Sequence, residues 1–279
     1  MVKFAHSVFA LPFAMSGAVL AAAHHGITIR QVGWIVLAMF GARNAAMGFN
    51  RLVDHSLDAA NPRTADRELP AGRLSRAATW FVTLALSVLF VFASAQLNPL
   101  CGKLSFLALA IVFGYSLTKR FTWLSHLFLG LALAVAPVGG WLAVAGGFAL
   151  LPWLLGAAVL LWVAGFDVIY ACQDAEFDRG AGLFSLPARF GLAAALLASR
   201  AFHLAAWFLL IAVGWWGQLH PVYWIGVIVI GLLLAQQHRL VGPADLSRVG
   251  VAFFNLNAVI AVLYFVNVLA AVLAGRFWS

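Results

Sequence analysis

Two groups of oxygen-bearing side chains stand out because each repeats at a spacing of four residues. The two groups are Asn50, Asp54 and Asp58, and Tyr170, Asp174 and Asp178. Residues four apart lie on one face of an α-helix, so each group predicts a stripe of oxygen atoms. Carboxylates at this spacing repel one another unless a cation lies between them. Such oxygen ligands suit Mg²⁺, which proteins hold through a few carboxylates together with water and substrate phosphates.

The acidic residues are scarce and concentrated near these two groups. The chain has nine Asp and Glu residues. Of these, Asp245 alone lies elsewhere, and the others are Asp54, Asp58, Asp66, Glu68, Asp167, Asp174, Glu176 and Asp178. Acids at the ends of helices could simply face water, but a carboxylate at a helix C-terminus is opposed by the helix dipole. The concentration therefore indicates a binding site.

Basic residues follow the same regions of the chain. They are Arg63, Arg67, Arg73, Arg76, Lys119, Arg120, Arg179 and Arg189. Acids that bind Mg²⁺ beside bases that stabilise oxyanions describe a site for a diphosphate. The alternative is that these bases only orient the chain in a membrane and contact anionic lipids.

The elements that must position these residues are membrane-spanning helices. Of the 279 residues, 64% are hydrophobic and 9% are charged, whereas soluble domains carry roughly 25% charged residues. Because about 20 apolar residues cross a membrane, the sequence predicts about nine transmembrane helices in an all-α bundle. The predicted spans are 4–24, 32–53, 77–97, 104–118, 124–145, 148–171, 190–214, 221–238 and 250–274. Seventeen Lys and Arg residues are too few for a nucleic-acid-binding surface, so no nucleic-acid partner is expected.

The basic residues also predict the orientation of the chain. With the N-terminus inside, the outer connections receive only Arg30, Lys103 and Arg276, and most of the other bases face the cytoplasm. We therefore expect a multi-pass protein of the bacterial inner membrane with its site facing the cytoplasm. Residues 1–279 are expected to form a single integral-membrane domain. Because the two oxygen stripes are offset by 120 residues at each position, two tandem four-helix halves plus one helix are predicted.

At these residues the sequence resembles the UbiA family of membrane-embedded prenyltransferases. The stretch 43–58 resembles the first family motif, with 61–72 as its usual continuation, and 167–178 resembles the second. Between them, Tyr115-x-x-x-Lys119 is similar to a third family element. The order of the motifs and the number of helices extend the resemblance over essentially the whole chain.

The resemblance implies Mg²⁺-dependent transfer of a polyprenyl group from a polyprenyl diphosphate to an aromatic acid in respiratory quinone biosynthesis. The implied metal-binding residues are Asn50, Asp54, Asp58, Asp174 and Asp178. The implied catalytic residues are Lys119, Asp54 and Asp174. The implied substrate-binding residues are Arg43, Asn50, Arg67, Tyr115, Asp167 and Tyr170. Lys119, together with Arg67, would take up charge on the leaving diphosphate, and the allylic cation would then be attacked by the ring.

Arg43 is the residue that bears most on the acceptor. It lies seven residues before Asn50, on the same helix face and about 10 Å deeper. A buried arginine in a membrane usually has a partner, which would be either the carboxylate of an aromatic acid or an aspartate of the stripe. Asp167 is expected either to orient a ligand or to hold a base in place.

The acceptor and two other protein classes stay open at this point. The turn 182–189 lacks the lysine common after the second motif in 4-hydroxybenzoate enzymes and resembles the branch acting on dihydroxynaphthoate. Both aromatic acids are therefore candidate acceptors. The alternative function is a cation-coupled membrane transporter that uses the aspartates as ion sites, although such sites usually lie near the membrane midplane. A CDP-alcohol phosphotransferase is disfavoured because its Asp-Gly-x-x-Ala-Arg signature is absent.

Overall fold

The computed structural model describes residues 10–277, which are helical apart from turns and one isolated bridge between Gly242 and Asp245. Nine long helices lie in this described range. They are α1 Ala10–His25, α2 Ile29–Val53, α3 Arg76–Leu97, α4 Pro99–Thr118, α5 Ser125–Ala145, α6 Leu150–Ala171, α7 Leu192–Trp216, α8 Val222–Leu240 and α9 Asn257–Phe277. This all-helical bundle confirms the predicted fold class. The organisation into two tandem halves stays a prediction.

Eight of these helices are long and apolar enough to cross a membrane, by length and composition. They are α2 to α9, so that the protein is a multi-pass integral membrane protein. The remaining helix, α1, has 16 described residues. Its predicted start at residue 4 lies outside the described residues.

Local capping signals decide where the helices begin. Thr28 and Gln31 form a capping box at the start of α2, in which the Gln31 backbone N–H donates to the Thr28 hydroxyl. The prediction that the fourth helix begins at residue 104 is wrong, because α4 already begins at Pro99. Asn98 caps it by accepting a hydrogen bond from the Cys101 N–H at 2.9 Å, and proline suits the first helical position.

Small residues bring α1 and α5 into close contact at the centre of the bundle. A Cβ added at Gly140 would lie 1.9 Å from the carbonyl oxygen of Ala14, and one added at Gly17 would lie 2.0 Å from that of Pro137. Such distances leave no room for a side chain, and small residues at helix interfaces are typical of membrane bundles. The α1–α5 pair also forms part of the wall of the cavity described below.

A π-helical turn, Val251–Leu256, leads directly into α9 and packs against the end of α6. The side chain of Asn257, the first residue of α9, donates to the Phe253 carbonyl at 2.8 Å and accepts from the Trp162 ring N–H at 3.1 Å. The Phe253 ring stacks on Tyr170 with 4.2 Å between centroids. The π-helical turn therefore helps to position Tyr170, the first residue of the second oxygen stripe.

Candidate functional site

The first motif lies where α2 ends and a short helix, His55–Ala60, begins. Backbone hydrogen bonds join the two, from the Asp54 N–H to the Asn50 carbonyl at 2.9 Å and from the Asp58 N–H to the Asp54 carbonyl at 2.7 Å. The four-residue spacing is thus kept across the break between the helices. Asp54 and Asp58 are 3% and 6% exposed, so both carboxylates are buried.

Asp54 is held by the C-terminal end of α4. The Lys119 Nζ donates to Asp54 Oδ2 at 2.6 Å, and the Arg120 Nη2 donates to Asp54 Oδ1 at 2.9 Å. The Asn50 amide also donates to Oδ2, at 3.1 Å. Two cations and one amide therefore neutralise this buried carboxylate, which is a requirement for burying a charge.

Asp58 is held by bases from its own part of the chain. The Arg67 Nη1 donates to Asp58 Oδ1 at 2.6 Å, and the Arg51 Nη1 lies 3.5 Å from Oδ2. Arg67, which the sequence assigns to substrate binding, is therefore located beside a predicted metal-binding residue.

The second motif is joined to the first through Arg63. The Arg63 Nε donates to Asp174 Oδ1 at 2.9 Å, its Nη2 pairs with Oδ2, and its Nη1 donates to the Tyr170 hydroxyl at 2.5 Å. Asn61 adds a hydrogen bond to Asp174 Oδ1 at 3.1 Å. Burial lowers the pKa of Arg63, but its hydrogen bonds and the nearby charge of Asp174 outweigh burial and raise this pKa. The guanidinium is therefore firmly charged.

Asp178 is held by the turn that follows the second motif. The Ser185 hydroxyl donates to Asp178 Oδ2 at 2.8 Å, and the neighbouring Phe184 N–H donates to the Lys119 carbonyl at 2.8 Å. The end of α4, which supplies Lys119 to the first motif, is thereby attached to the second motif. Arg179, which follows Asp178, donates to the Ala188 carbonyl at 3.4 Å.

One contact was not expected from the sequence. The His126 Nδ1 lies 2.6 Å from Asp167 Oδ2, and the Leu186 backbone N–H donates to the His126 Nε2 at 3.3 Å. Residues 126 and 167 are on neighbouring helices, α5 and α6, and no spacing rule connects them. The structure thus gives Asp167 a histidine partner, and both of its expected roles stay predictions.

A cavity of about 700 Å³ opens beside these groups and extends into the bundle. Its polar end is lined by side chains from both motif regions and from α4. These are Arg43, Asn50, Arg51, Arg67, Tyr115, Asp167 and Tyr170. The rest of the wall is mostly apolar and follows α2 back to Ile35, which is roughly 22 Å of helix from Asn50. The cavity can therefore hold a long apolar chain with a charged head.

Arg43 lies inside this cavity without an acidic partner among the described contacts. Its Nη2 contacts the Met47 sulfur at 3.5 Å, and its Nε is buried and has no hydrogen-bond partner. The alternative that Arg43 pairs with a stripe aspartate is therefore not found. Asp54, Asp58 and Asp174 lie beyond the end of the cavity that we call its mouth, and they are paired with Lys119 and with arginines.

The oxygen ligands at the mouth fit a divalent cation by their chemistry. The two stripes contribute one amide and four carboxylate side chains, and magnesium prefers oxygen ligands of this kind. Within residues 10–277, no three His, Cys, Asp or Glu side chains are already grouped closely enough to hold a metal ion. Asp54, Asp58 and Asp174 are instead paired with lysine or arginine side chains. The metal-ligand assignments made from the sequence stay predictions.

The sequence matches the profile of the UbiA prenyltransferase family over residues 10–259. It is 32% identical over 224 residues to a 4-hydroxybenzoate octaprenyltransferase of Vibrio atlanticus. The aligned residues cover 80% of this chain and 78% of that relative. It is 30% identical over 229 residues to the enzyme of the same name from Yersinia pseudotuberculosis, covering 82% and 79%.

Solved structures share the same fold. The apo structure of a UbiA homologue from Aeropyrum pernix K1 matches with a TM-score of 0.89 and 36% identity, covering 97% of this chain and 99% of that one. A homologue from Archaeoglobus fulgidus, solved with GPP and Mg²⁺, matches with a TM-score of 0.72 and 19% identity, covering 95% of both chains. The chain therefore belongs to the UbiA prenyltransferase family and is a prenyltransferase enzyme of the membrane-spanning type.

Proposed function

We propose that this enzyme transfers a polyprenyl group from a polyprenyl diphosphate to the ring of an aromatic acid in respiratory quinone biosynthesis. The observation that carries the proposal is the cavity itself. Its wall includes Arg51 and Arg67, which pair with the buried Asp58, most of the rest of its wall is apolar, and Arg43 lines it with an unpartnered Nε. A diphosphate, an isoprenoid chain and an aromatic carboxylate each have a complementary region. The relatives named as 4-hydroxybenzoate octaprenyltransferases support the same donor and acceptor classes.

The mouth of the cavity would bind the diphosphate together with Mg²⁺. The residues that would hold the metal are Asn50, Asp54, Asp58, Asp174 and Asp178. When bound, Mg²⁺ would neutralise charge on the diphosphate and favour its departure. The Archaeoglobus homologue solved with GPP and Mg²⁺ supports this assignment, although it shares only the fold with this chain.

The basic residues would stabilise the leaving group. Lys119 and Arg67 each lie 2.6 Å from a buried carboxylate that would hold the metal. Both cations would therefore be close to the oxygens of a diphosphate bound to that metal. Charge that develops on the departing oxygen would be stabilised most by donors already held in position. Tyr115 and Tyr170 line the cavity beside this point and would contact the reacting end of the chain.

Arg43 would bind the carboxylate of the acceptor. A guanidinium within an apolar cavity favours an anionic partner, and its fork matches a carboxylate. Both 4-hydroxybenzoate and a dihydroxynaphthoate carry this group, so Arg43 does not choose between them. The names of the relatives favour 4-hydroxybenzoate.

The test is an acceptor panel with the purified protein. Polyprenyl diphosphate and Mg²⁺ are supplied with either aromatic acid, and the prenylated product is detected by mass spectrometry. We expect product with one of these acids, loss of product with EDTA and recovery when Mg²⁺ is restored. Failure to prenylate either acid, with a homologous enzyme active in parallel, would refute the proposal. The transporter alternative is set aside because the chain belongs to an enzyme family.

We also propose that residues 1–279 form one domain in the bacterial inner membrane with the mouth of the cavity facing the cytoplasm. The excess of Lys and Arg on the connections near the mouth supports this orientation. Cysteine labelling at the 61–72 connection, compared with the 146–149 connection on the opposite side, tests it in intact cells.

A further inference from the structure

The hydrogen-bonded pair of Asp167 and His126 lies at the polar end of the cavity, deeper than the two aspartate stripes. Asp167 is one helical turn before Tyr170 in α6 and lines the cavity, and 23% of its side chain is exposed. The His126 side chain is 4% exposed and lies behind it. Arg43 and Tyr115 line the same part of the cavity. An aromatic acid held by Arg43 would therefore have Asp167 among its nearest polar neighbours.

The hydrogen bonds assign the tautomer of the histidine. The Leu186 N–H can only donate, so the His126 Nε2 that faces it at 3.3 Å is the acceptor. In the neutral ring the proton is then on Nδ1, which donates to Asp167 Oδ2 at 2.6 Å. His126 thus orients one carboxylate oxygen and leaves the other available to the cavity.

Asp167 differs from the four aspartates of the two stripes in its histidine partner and in lining the cavity. Asp54, Asp58 and Asp174 are held by lysine or arginine. Asp178 accepts a hydrogen bond from the Ser185 hydroxyl. Asp167 instead accepts a hydrogen bond from the His126 ring and, unlike those four aspartates, lines the cavity.

We propose that Asp167 accepts the proton that the aromatic ring loses after prenyl transfer, with His126 as its positioning residue. The inference rests on the proposed function. In the reaction the allylic C–O bond breaks and its electron pair leaves with the diphosphate, and the ring carbon forms the new C–C bond. The ring C–H electrons then restore aromaticity while the proton passes to the free Asp167 oxygen, from which it is later released to water.

The same turn fixes this base and the second motif. Leu186, whose amide holds His126, directly follows Ser185, whose hydroxyl holds Asp178. The carboxylate that takes the proton and a carboxylate of the diphosphate site are therefore held in a common frame. This arrangement places ionisation and proton removal at neighbouring parts of one cavity.

The experiment compares wild type, Asp167→Asn and the control Asp245→Asn, with ring-deuterated and unlabelled 4-hydroxybenzoate. Asparagine keeps the shape of the side chain but cannot take a proton. We expect Asp167→Asn to lower kcat by about 100-fold or more, as removal of a general base does. A deuterium isotope effect larger than that of wild type should appear, because ring deprotonation becomes rate-limiting. Binding of the polyprenyl diphosphate should be unchanged. Asp245 is exposed in the connection between α8 and the π-helical turn, so its variant should behave as wild type.

The outcomes separate this inference from the proposed function. If wild type prenylates the acceptor and Asp167→Asn is equally fast, or slow without an enlarged isotope effect, Asp167 is not the base. Loss of diphosphate binding in Asp167→Asn would assign it a structural role and also overturn the inference. If wild type prenylates no aromatic acid, the proposed function fails, and the role of Asp167 with it.

His126 is tested by a conservative pair of variants. His126→Asn keeps an N–H donor near the position of Nδ1, whereas His126→Leu removes it. We expect His126→Leu to show the enlarged isotope effect and His126→Asn to recover part of the activity. Equal isotope effects in both variants and wild type would exclude a positioning role.

Discussion

Arg63 and Asp174 form a two-point ion pair although 111 residues separate them in the chain. Arg63 follows the first motif, and Asp174 belongs to the second. The same guanidinium also donates to the Tyr170 hydroxyl and lies over its ring, 4.8 Å from the centroid. One side chain in a connecting segment therefore links the two halves of the candidate site directly.

Replacement of Arg63 by alanine should reduce activity more than stability. The pair is partly exposed, with 32% of the Arg63 side chain accessible, and such ion pairs contribute about 0–1 kcal/mol to unfolding. The loss of alignment between the motifs should lower kcat/KM for the diphosphate by roughly tenfold or more. Steady-state kinetics and thermal unfolding in detergent measure the two effects. Arg63→Lys should recover only part, because a lysine cannot donate to both carboxylate oxygens and Tyr170.

Removal of a carboxylate at the mouth should abolish most turnover. We expect Asp54→Ala and Asp174→Ala each to retain less than about a tenth of wild-type kcat, because each deletes a predicted metal ligand and frees a nearby cation. Mg²⁺ titrations of the residual activity should show a weaker apparent affinity. The exposed Asp245→Ala serves as the matched control, and substantial turnover in either site variant would count against the metal assignment.

Arg43→Ala should weaken acceptor binding selectively. A charge-assisted hydrogen bond to a carboxylate is lost, so the KM for the aromatic acid should rise about tenfold or more while the KM for the diphosphate stays within about twofold. Initial rates at varied acceptor concentration check this. An unchanged acceptor KM would show that Arg43 does not bind the carboxylate.

Gly140→Ala should destabilise the bundle. The added Cβ would lie 1.9 Å from the Ala14 carbonyl oxygen, which forces α1 and α5 apart at a cost of about 1–3 kcal/mol. Gly33 in α2 has nothing within 4 Å of an added Cβ and provides the matched control. Thermal unfolding in detergent should show a lower midpoint for Gly140→Ala and no loss for Gly33→Ala. Equal midpoints would contradict the close packing of these helices.

The parts of the site that the sequence predicts are those governed by local spacing. The four-residue repeat predicted that Asn50, Asp54 and Asp58 follow one another at helical spacing. The structure has the corresponding backbone hydrogen bonds, from Asp54 to Asn50 and from Asp58 to Asp54. The apolar runs predicted the spans of α2 to α9 because a membrane requires a minimum length of helix. The start of α4 was missed because Lys103 interrupts the apolar run, whereas Asn98 and Pro99 decide where the helix begins.

Contacts between distant segments were beyond the reach of spacing rules. His126 precedes Asp167 by 41 residues, and only the packing of α5 against α6 brings them together. The contact between Arg63 and Asp174 was also beyond these rules, because 111 residues separate the two side chains in the chain. Met47 is one turn from Arg43 and could have been found by spacing, but a thioether gives no signal as a partner for a cation.

The pairing of Asp54 with Lys119 and of Asp58 with Arg67 has a consequence for the resting enzyme. Each of these two acids already has a counter-ion before any ligand arrives. The two buried carboxylates also gave up most of their water when the chain folded. An incoming ligand therefore exchanges one partner for another, and much of the desolvation that would otherwise oppose its binding has already taken place.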